Sequence, residues 1–172
     1  MTVLPQVVNL SGTLKNYEIF DLICIFNRLS RAQANKKLKS RWSEAFFYRY
    51  DKIKNKRTYA VSYGEKRWLT LSLMLGLCDR TRFFLLDEPT VGIDLQYRIL
   101  LWDLIKLIVQ EGRTVMFSTH IFDELTREKT PFVMMSRRGV SQYTDMTAFM
   151  EEKSADTPEK AFINEILWQD RA

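Results

Sequence analysis

Leu85-Leu86-Asp87-Glu88-Pro89-Thr90-Val91-Gly92-Ile93-Asp94 is the stretch that decides how this chain folds. Phe83 and Phe84 precede it, so four apolar residues run straight into two adjacent carboxylates, a proline and a glycine-bearing loop. Four consecutive apolar residues are apolar on both faces, the pattern of a central parallel strand. The two acids then stand at the carboxyl end of that strand, the edge where ligands bind in open α/β sheets. Burying acids there is costly unless something cationic compensates. Two readings stand at this point: acids that cap the following helix, and acids that serve a metal-bound ligand.

Working outward supports the sheet. Residues 96–111 form an amphipathic pattern stopped by Gly112, and Arg113 to Ser118 reads as a second strand. Strand, helix, strand in that order predicts a parallel α/β sheet. Further on, residues 121–127 read as a short helix. Residues 132–136 and 140–143 read as a hairpin around Arg138-Gly139. Helices follow at 146–153 and 158–168, the second opened by Pro158. Upstream, Ser62 precedes a long apolar helix over 65–77. A helix is predicted over 14–29 from Ile19, Phe20, Ile23 and Phe26, and Ser30 with Gln33 makes a capping box for another. Residues 42–50 are an aromatic segment, 9–13 a loop, and 2–6 a strand stub broken by Pro5.

The 172 residues are 46% hydrophobic and 27% charged, enough to bury a core as one domain. No apolar window reaches the roughly 18 residues of a membrane span; the best candidate, residues 19–29, is interrupted by Asp21, Asn27 and Arg28. Met1 is followed by no basic, signal-like region, so neither a secreted nor a membrane-spanning protein is expected. Cys24 and Cys78 lie in apolar helical patterns without metal or redox spacing, consistent with a reducing cytoplasm. Net charge is +5, with basic residues gathered at 28–57 and at Arg137-Arg138, read as a solvated face or as a nucleic-acid or membrane-surface patch.

Three further segments carry chemistry. Ser62 can cap the helix that follows, and Gly64 admits close backbone approach, so the free N–H groups of the helix start can face an anion. That start lies 25 residues before Asp87. His120, the one histidine, falls 32 residues after Glu88, across one helix and one strand, which brings the chain back to the same sheet edge. Gln6 follows Pro5, 56 residues before Ser62.

Taken in order, Val3-Leu4-Pro5-Gln6, Val61-Ser62-Tyr63-Gly64-Glu65, Leu85 to Thr90, Val91-Gly92-Ile93-Asp94 and Phe117-Ser118-Thr119-His120 resemble five motifs of ATP-binding cassette (ABC) ATPases. These are the Q-loop, signature, Walker B, D-loop and switch histidine, with Tyr63 in place of a glycine and Glu65 in place of a glutamine. The resemblance implies a partial P-loop NTPase of ABC type: a parallel α/β sheet with an α-helical subdomain. It divides one incomplete domain into a helical part (about 9–80), an α/β core (about 81–145) and C-terminal helices (about 146–172). It implies ATP and Mg²⁺ as cofactors. Asp87 and Gln6 would serve the metal, Glu88 the attacking water and His120 the γ-phosphate. Ser62 and Gly64 would hold ATP of an opposite subunit, and Asp94 would link the two sites. Thr157-Pro158-Glu159-Lys160-Ala161-Phe162 resembles the end of ABC-2 exporter cassettes.

The phosphate-cradling loop G-x-x-x-x-G-K-[ST] is not among these residues: none of the six glycines precedes a suitably spaced Gly-Lys pair. The expectation is therefore an N-terminally truncated cassette, with no ATP turnover by this chain alone. A remnant, half of a split cassette, and a degenerate subunit all fit. The implied function is the ATP-hydrolysing subunit of an exporter, cytoplasmic and peripheral on the cytoplasmic face of the membrane. Its implied partners are a transmembrane permease, a second ABC cassette and a chain supplying the missing Walker A lobe. The alternatives are a non-catalytic partner subunit and a non-transport ABC-family ATPase; nucleic acid is not expected as a partner.

Overall fold

A computed structural model describes residues 1–6, 10–136 and 139–170. Two compact units make up the chain, residues 1–118 and 119–172.

In the first unit, β1 (Thr2–Leu4), β2 (Phe83–Asp87) and β3 (Thr114–Ser118) form a parallel sheet in the order β1-β2-β3. The strand that opened the sequence reading is central. In register, Leu4, Leu86 and Phe117 lie side by side, as do Val3, Leu85 and Met116. The first row faces a core into which Phe84 and Leu86 are fully buried. The second row is open: Val3 is 52% exposed and Met116 53%. The expectation of a strand covered on both faces is corrected here. Within this unit the helices cover one side of the sheet, and Phe83 and Leu85 are half-buried.

Five helices supply that cover. α1 (Asn16–Phe26) is shorter at both ends than the predicted 14–29. It starts where the Lys15 N–H donates to the Glu18 carboxylate at 2.6 Å. It stops where the Asn27 side chain donates to the Ile23 carbonyl at 2.8 Å and Arg28 turns left-handed at φ 56°. Buried Asn16 donates to the Ile53 carbonyl at 2.9 Å, tying the start of α1 to the end of α3. α2 (Arg31–Arg41) opens on the predicted Ser30–Gln33 capping box, and α3 (Glu44–Ile53) is capped by Ser43. A short 3₁₀ turn, Thr58–Ala60, leads to α4 (Tyr63–Leu77), which is buried along most of its length. α5 (Leu95–Gln110) returns to β3, where Trp102 meets Phe117 edge-on at 4.9 Å. Trp68 of α4 stands at the junction, stacked on Phe46 at 4.8 Å and edge-on to Tyr97 at 4.8 Å.

The second unit holds α6 (Phe122–Glu128), the antiparallel pair β4 (Phe132–Ser136) and β5 (Gly139–Tyr143), α7 (Met146–Glu152) and α8 (Pro158–Asp170). The hairpin pairs Phe132 with Tyr143 and Ser136 with Gly139. The expected turn residue Arg138, with Arg137 of the basic pair, lies outside the described residues, as does Asn9 of the predicted 9–13 loop. Phe132, Tyr143 and Phe149 form an aromatic cluster, with Phe149 fully buried. Among the described residues no helix is long and apolar enough to cross a membrane.

Candidate functional site

The site is built where β2 and β3 end together. Asp87 and Ser118 are register partners, and parallel strands place both at the same edge. The Ser118 hydroxyl donates to Asp87 Oδ1 at 2.7 Å and accepts the Glu88 N–H at 3.0 Å. The Asp87 carboxylate is otherwise open to solvent. Glu88 sits at φ 47°, in the left-handed region that costs a non-glycine residue roughly 1–2 kcal/mol. A turn follows, with the Val91 N–H on the Glu88 carbonyl at 3.3 Å and the Ile93 N–H on the Thr90 carbonyl at 3.1 Å. Gly92, at φ 76°, takes the second left-handed position of that loop.

Beneath the loop lies Arg67 of α4, only 2% exposed. Its Nη2 donates to the carbonyls of Asp87 and Glu88, both at 2.6 Å, and its Nε to the Pro89 carbonyl at 3.1 Å. Nη1 donates to the Tyr63 hydroxyl at 3.3 Å. Burial pulls the guanidinium's pKa down from its ordinary value, against the opposing pull of Tyr63, Asp87 and Glu88. An arginine stays charged under such a shift.

The start of α4 is closed by its own residues. The Ser62 hydroxyl accepts the Glu65 N–H at 3.1 Å, and the Glu65 carboxylate accepts the Ser62 N–H at 2.8 Å, a reciprocal capping box. Gly64 is required by the chain's own backbone. A Cβ there would collide with the Gly92 carbonyl oxygen, so the helix start presses directly on the 91–94 loop. Tyr63 reaches the other way, its hydroxyl donating to the Gln6 carbonyl at 2.7 Å. Gln6 itself is exposed, two residues beyond β1. Asp94 caps α5, accepting the Tyr97 N–H at 3.1 Å.

The first unit thus brings together Asp87, Glu88, Ser62, Gly64, Asp94 and the backbone of Gln6, through Arg67, Tyr63 and Gly92. His120 stands two residues beyond β3 as an exposed side chain in the second unit. Within that unit, Thr119 accepts the Ile121 N–H at 3.0 Å and bonds Glu124 at 3.2 Å, fixing the turn into α6. Sequence reasoning missed Ser118 and Arg67. The signal for Ser118 was its place at the end of the neighbouring strand; Arg67 gave none, since it follows Glu65 and Lys66 at the polar start of its helix.

No group of three or more His, Cys, Asp or Glu side chains able to hold a metal occurs among the described residues. The oxygen donors at the edge, an open Asp87 carboxylate beside Ser118, nevertheless suit Mg²⁺. That ion takes one or two carboxylates and completes its shell with waters and substrate phosphates.

Residues 23–126 match a family described as "AAA domain, putative AbiEii toxin, Type IV TA system". The chain is 57% identical over 166 residues to protein McbF of Escherichia coli, covering 96% of this chain and 67% of that protein. It is 36% identical over 81 residues to the Nod factor export ATP-binding protein I of Rhizobium johnstonii, covering 47% of this chain and 25% of the relative. A solved structure of the ATP-binding subunit of an ABC transporter superposes with a TM-score of 0.73 at 18% identity, covering 94% of this chain and 66% of that one. The chain therefore spans about two thirds of the first relative and a quarter of the second.

Proposed function

The chain belongs to the AAA-domain family, and with ABC ATP-binding proteins among its relatives and structural neighbours we propose that its sheet edge is the acid half of an ATP-hydrolysing site. One observation carries the reading. Asp87 and Glu88 are adjacent acids at the carboxyl end of the central parallel strand, and one hydroxyl, Ser118, holds the carboxylate of the first and the N–H of the second. Asp87 would hold Mg²⁺, assisted by Gln6. Glu88 would orient or deprotonate the attacking water. When bound, Mg²⁺ supplies the charge that neutralises a triphosphate. Ser62 and Gly64 would face the nucleotide of a second cassette, and Asp94 would link the two sites.

The phosphates are cradled by a loop outside these 172 residues, since backbone N–H groups and a lysine of such a loop supply most ATP affinity. The coupled partner is a transmembrane permease, with the chain peripheral on its cytoplasmic side, and the coupled process is export. Support for export comes from the Nod factor export relative. The test is ATP turnover. The isolated chain should show none. The chain assembled with a cradle-bearing lobe should hydrolyse ATP in a Mg²⁺-dependent way that Glu88→Gln abolishes. Turnover by the pure chain, or turnover in the assembly unaffected by Glu88→Gln, contradicts the proposal.

A second reading rests on Glu65. Its carboxylate lies on the helix start that should meet a phosphate, and this favours a subunit whose signature face is weakened, a partner rather than a turnover centre.

A further inference from the structure

We propose that Arg67 is a positioning residue that holds Glu88 in its left-handed backbone conformation, and that Tyr63 extends this hold to the Gln6 segment. The inference rests on the reading of Glu88 as the acid of the site.

Arg67 is buried in an apolar helix, yet its hydrogen-bond partners are neutral: the consecutive carbonyls of Asp87, Glu88 and Pro89, and the Tyr63 hydroxyl. A cation taken from water without an ion pair needs its donors filled, and backbone carbonyls fill them here. Successive residues of an extended strand point to opposite sides, so three carbonyls in a row cannot converge on one group unless the chain turns. The turn is made at Glu88, the one non-glycine residue of this loop with positive φ. Strain of that kind persists only where the surroundings over-determine it. Hydrogen bonds on its backbone supply that hold: Arg67 on the Glu88 carbonyl at 2.6 Å, the Val91 N–H on the same carbonyl at 3.3 Å, and Ser118 on the Glu88 N–H at 3.0 Å. The planar guanidinium fork suits several acceptors at once, which the single ammonium of a lysine does not. Tyr63 then carries the arrangement outward: its hydroxyl accepts from Arg67 and donates to the Gln6 carbonyl at 2.7 Å. The position that departs from the family's glycine thus links the two loops flanking the site.

The test uses the whole chain, isotopically labelled, and needs no nucleotide, so its failure is distinct from failure of the ATPase reading. Wild-type backbone chemical shifts of Glu88 should report a left-handed residue. Arg67→Lys should move those shifts toward ordinary values and speed amide exchange at Val91 at least about tenfold, as expected on losing bonds to a charged group. The cap amides Glu65 and Tyr97 should stay unchanged. Adding Glu88→Gly, which needs no support at positive φ, should restore much of the Val91 protection. Tyr63→Phe, a near-isosteric change, should shift Gln6 while leaving Glu88 in place. A wild-type Glu88 that is not left-handed overturns the proposal, as does an Arg67→Lys variant with unchanged Glu88 shifts. If Arg67→Lys does not fold, failure of Arg67→Lys/Glu88→Gly to recover folding overturns it as well.

Discussion

Gly64 shows how a residue can be read correctly for its type and incompletely for its reason. Its sequence context suggested close approach to a ligand, but the structure shows an approach to the chain's own Gly92 carbonyl. Gly64→Ala should therefore cost about 1–3 kcal/mol, the range of overpacking, even in the absence of any nucleotide. Urea denaturation midpoints measure this, and an unchanged midpoint would contradict the packing argument. Glu65 makes the opposite point. Glutamine also closes a capping box, so Glu65→Gln should leave stability within about 0.5 kcal/mol while removing a negative charge from the helix start. Nucleotide-dependent association with a second cassette should strengthen in that variant, read by analytical ultracentrifugation. The apolar run before Asp87 and Glu88 placed them at a strand end, where the structure has them. Arg67 was not, because its partners are backbone carbonyls some 20 residues away that no side-chain pattern announces.

At the scale of elements, local signals read best. Ser30 and Ser62 cap their helices as expected, through side-chain hydrogen bonds to the first turn, and Asp94 caps α5 without having been read as a cap. The end of α1 was misjudged because Leu29 continues the apolar pattern, while the left-handed Arg28 breaks the helix first. α4 is held by its aromatic junction, and Trp68→Ala should cost about 3–5 kcal/mol in denaturant unfolding. α2 and the ends of α4 and α5 are joined by an ionic network of Lys37, Arg41, Asp79, Glu111 and Arg113. Burial alone would raise the pKa values of Asp79 and Glu111. Hydrogen bonds and charge from Lys37 and Arg41 for the first, and from Arg41 and Arg113 for the second, outweigh it and hold both below the usual carboxylate range. A depressed folded-state pKa gives stability that is fully present above the unfolded value, near pH 4, and lost as pH falls through the folded one. Unfolding midpoints should thus drop below about pH 4, and drop less in Arg41→Met, which already lacks the shared cation. A parallel pH profile in that variant would count against the network.

For the whole molecule, the parallel sheet and the order of its motifs were readable because each motif sits at a strand end or helix start with a local signature. The open sheet face was not, since Val3, Leu85 and Met116 have the composition of covered residues and sequence cannot say what covers them. His120 was placed by counting along the chain, and the chain changes unit at Thr119. The central claim is that Asp87 and Glu88, held together by Ser118, serve one metal-bound triphosphate. Paramagnetic broadening by Mn²⁺·ATP tests it most directly, because it detects weak occupancy without turnover. Signals of Asp87, Glu88 and Ser118 should broaden together, and Asp87→Asn should abolish the effect. Broadening that leaves the two acids untouched, or an effect that survives Asp87→Asn, would contradict it.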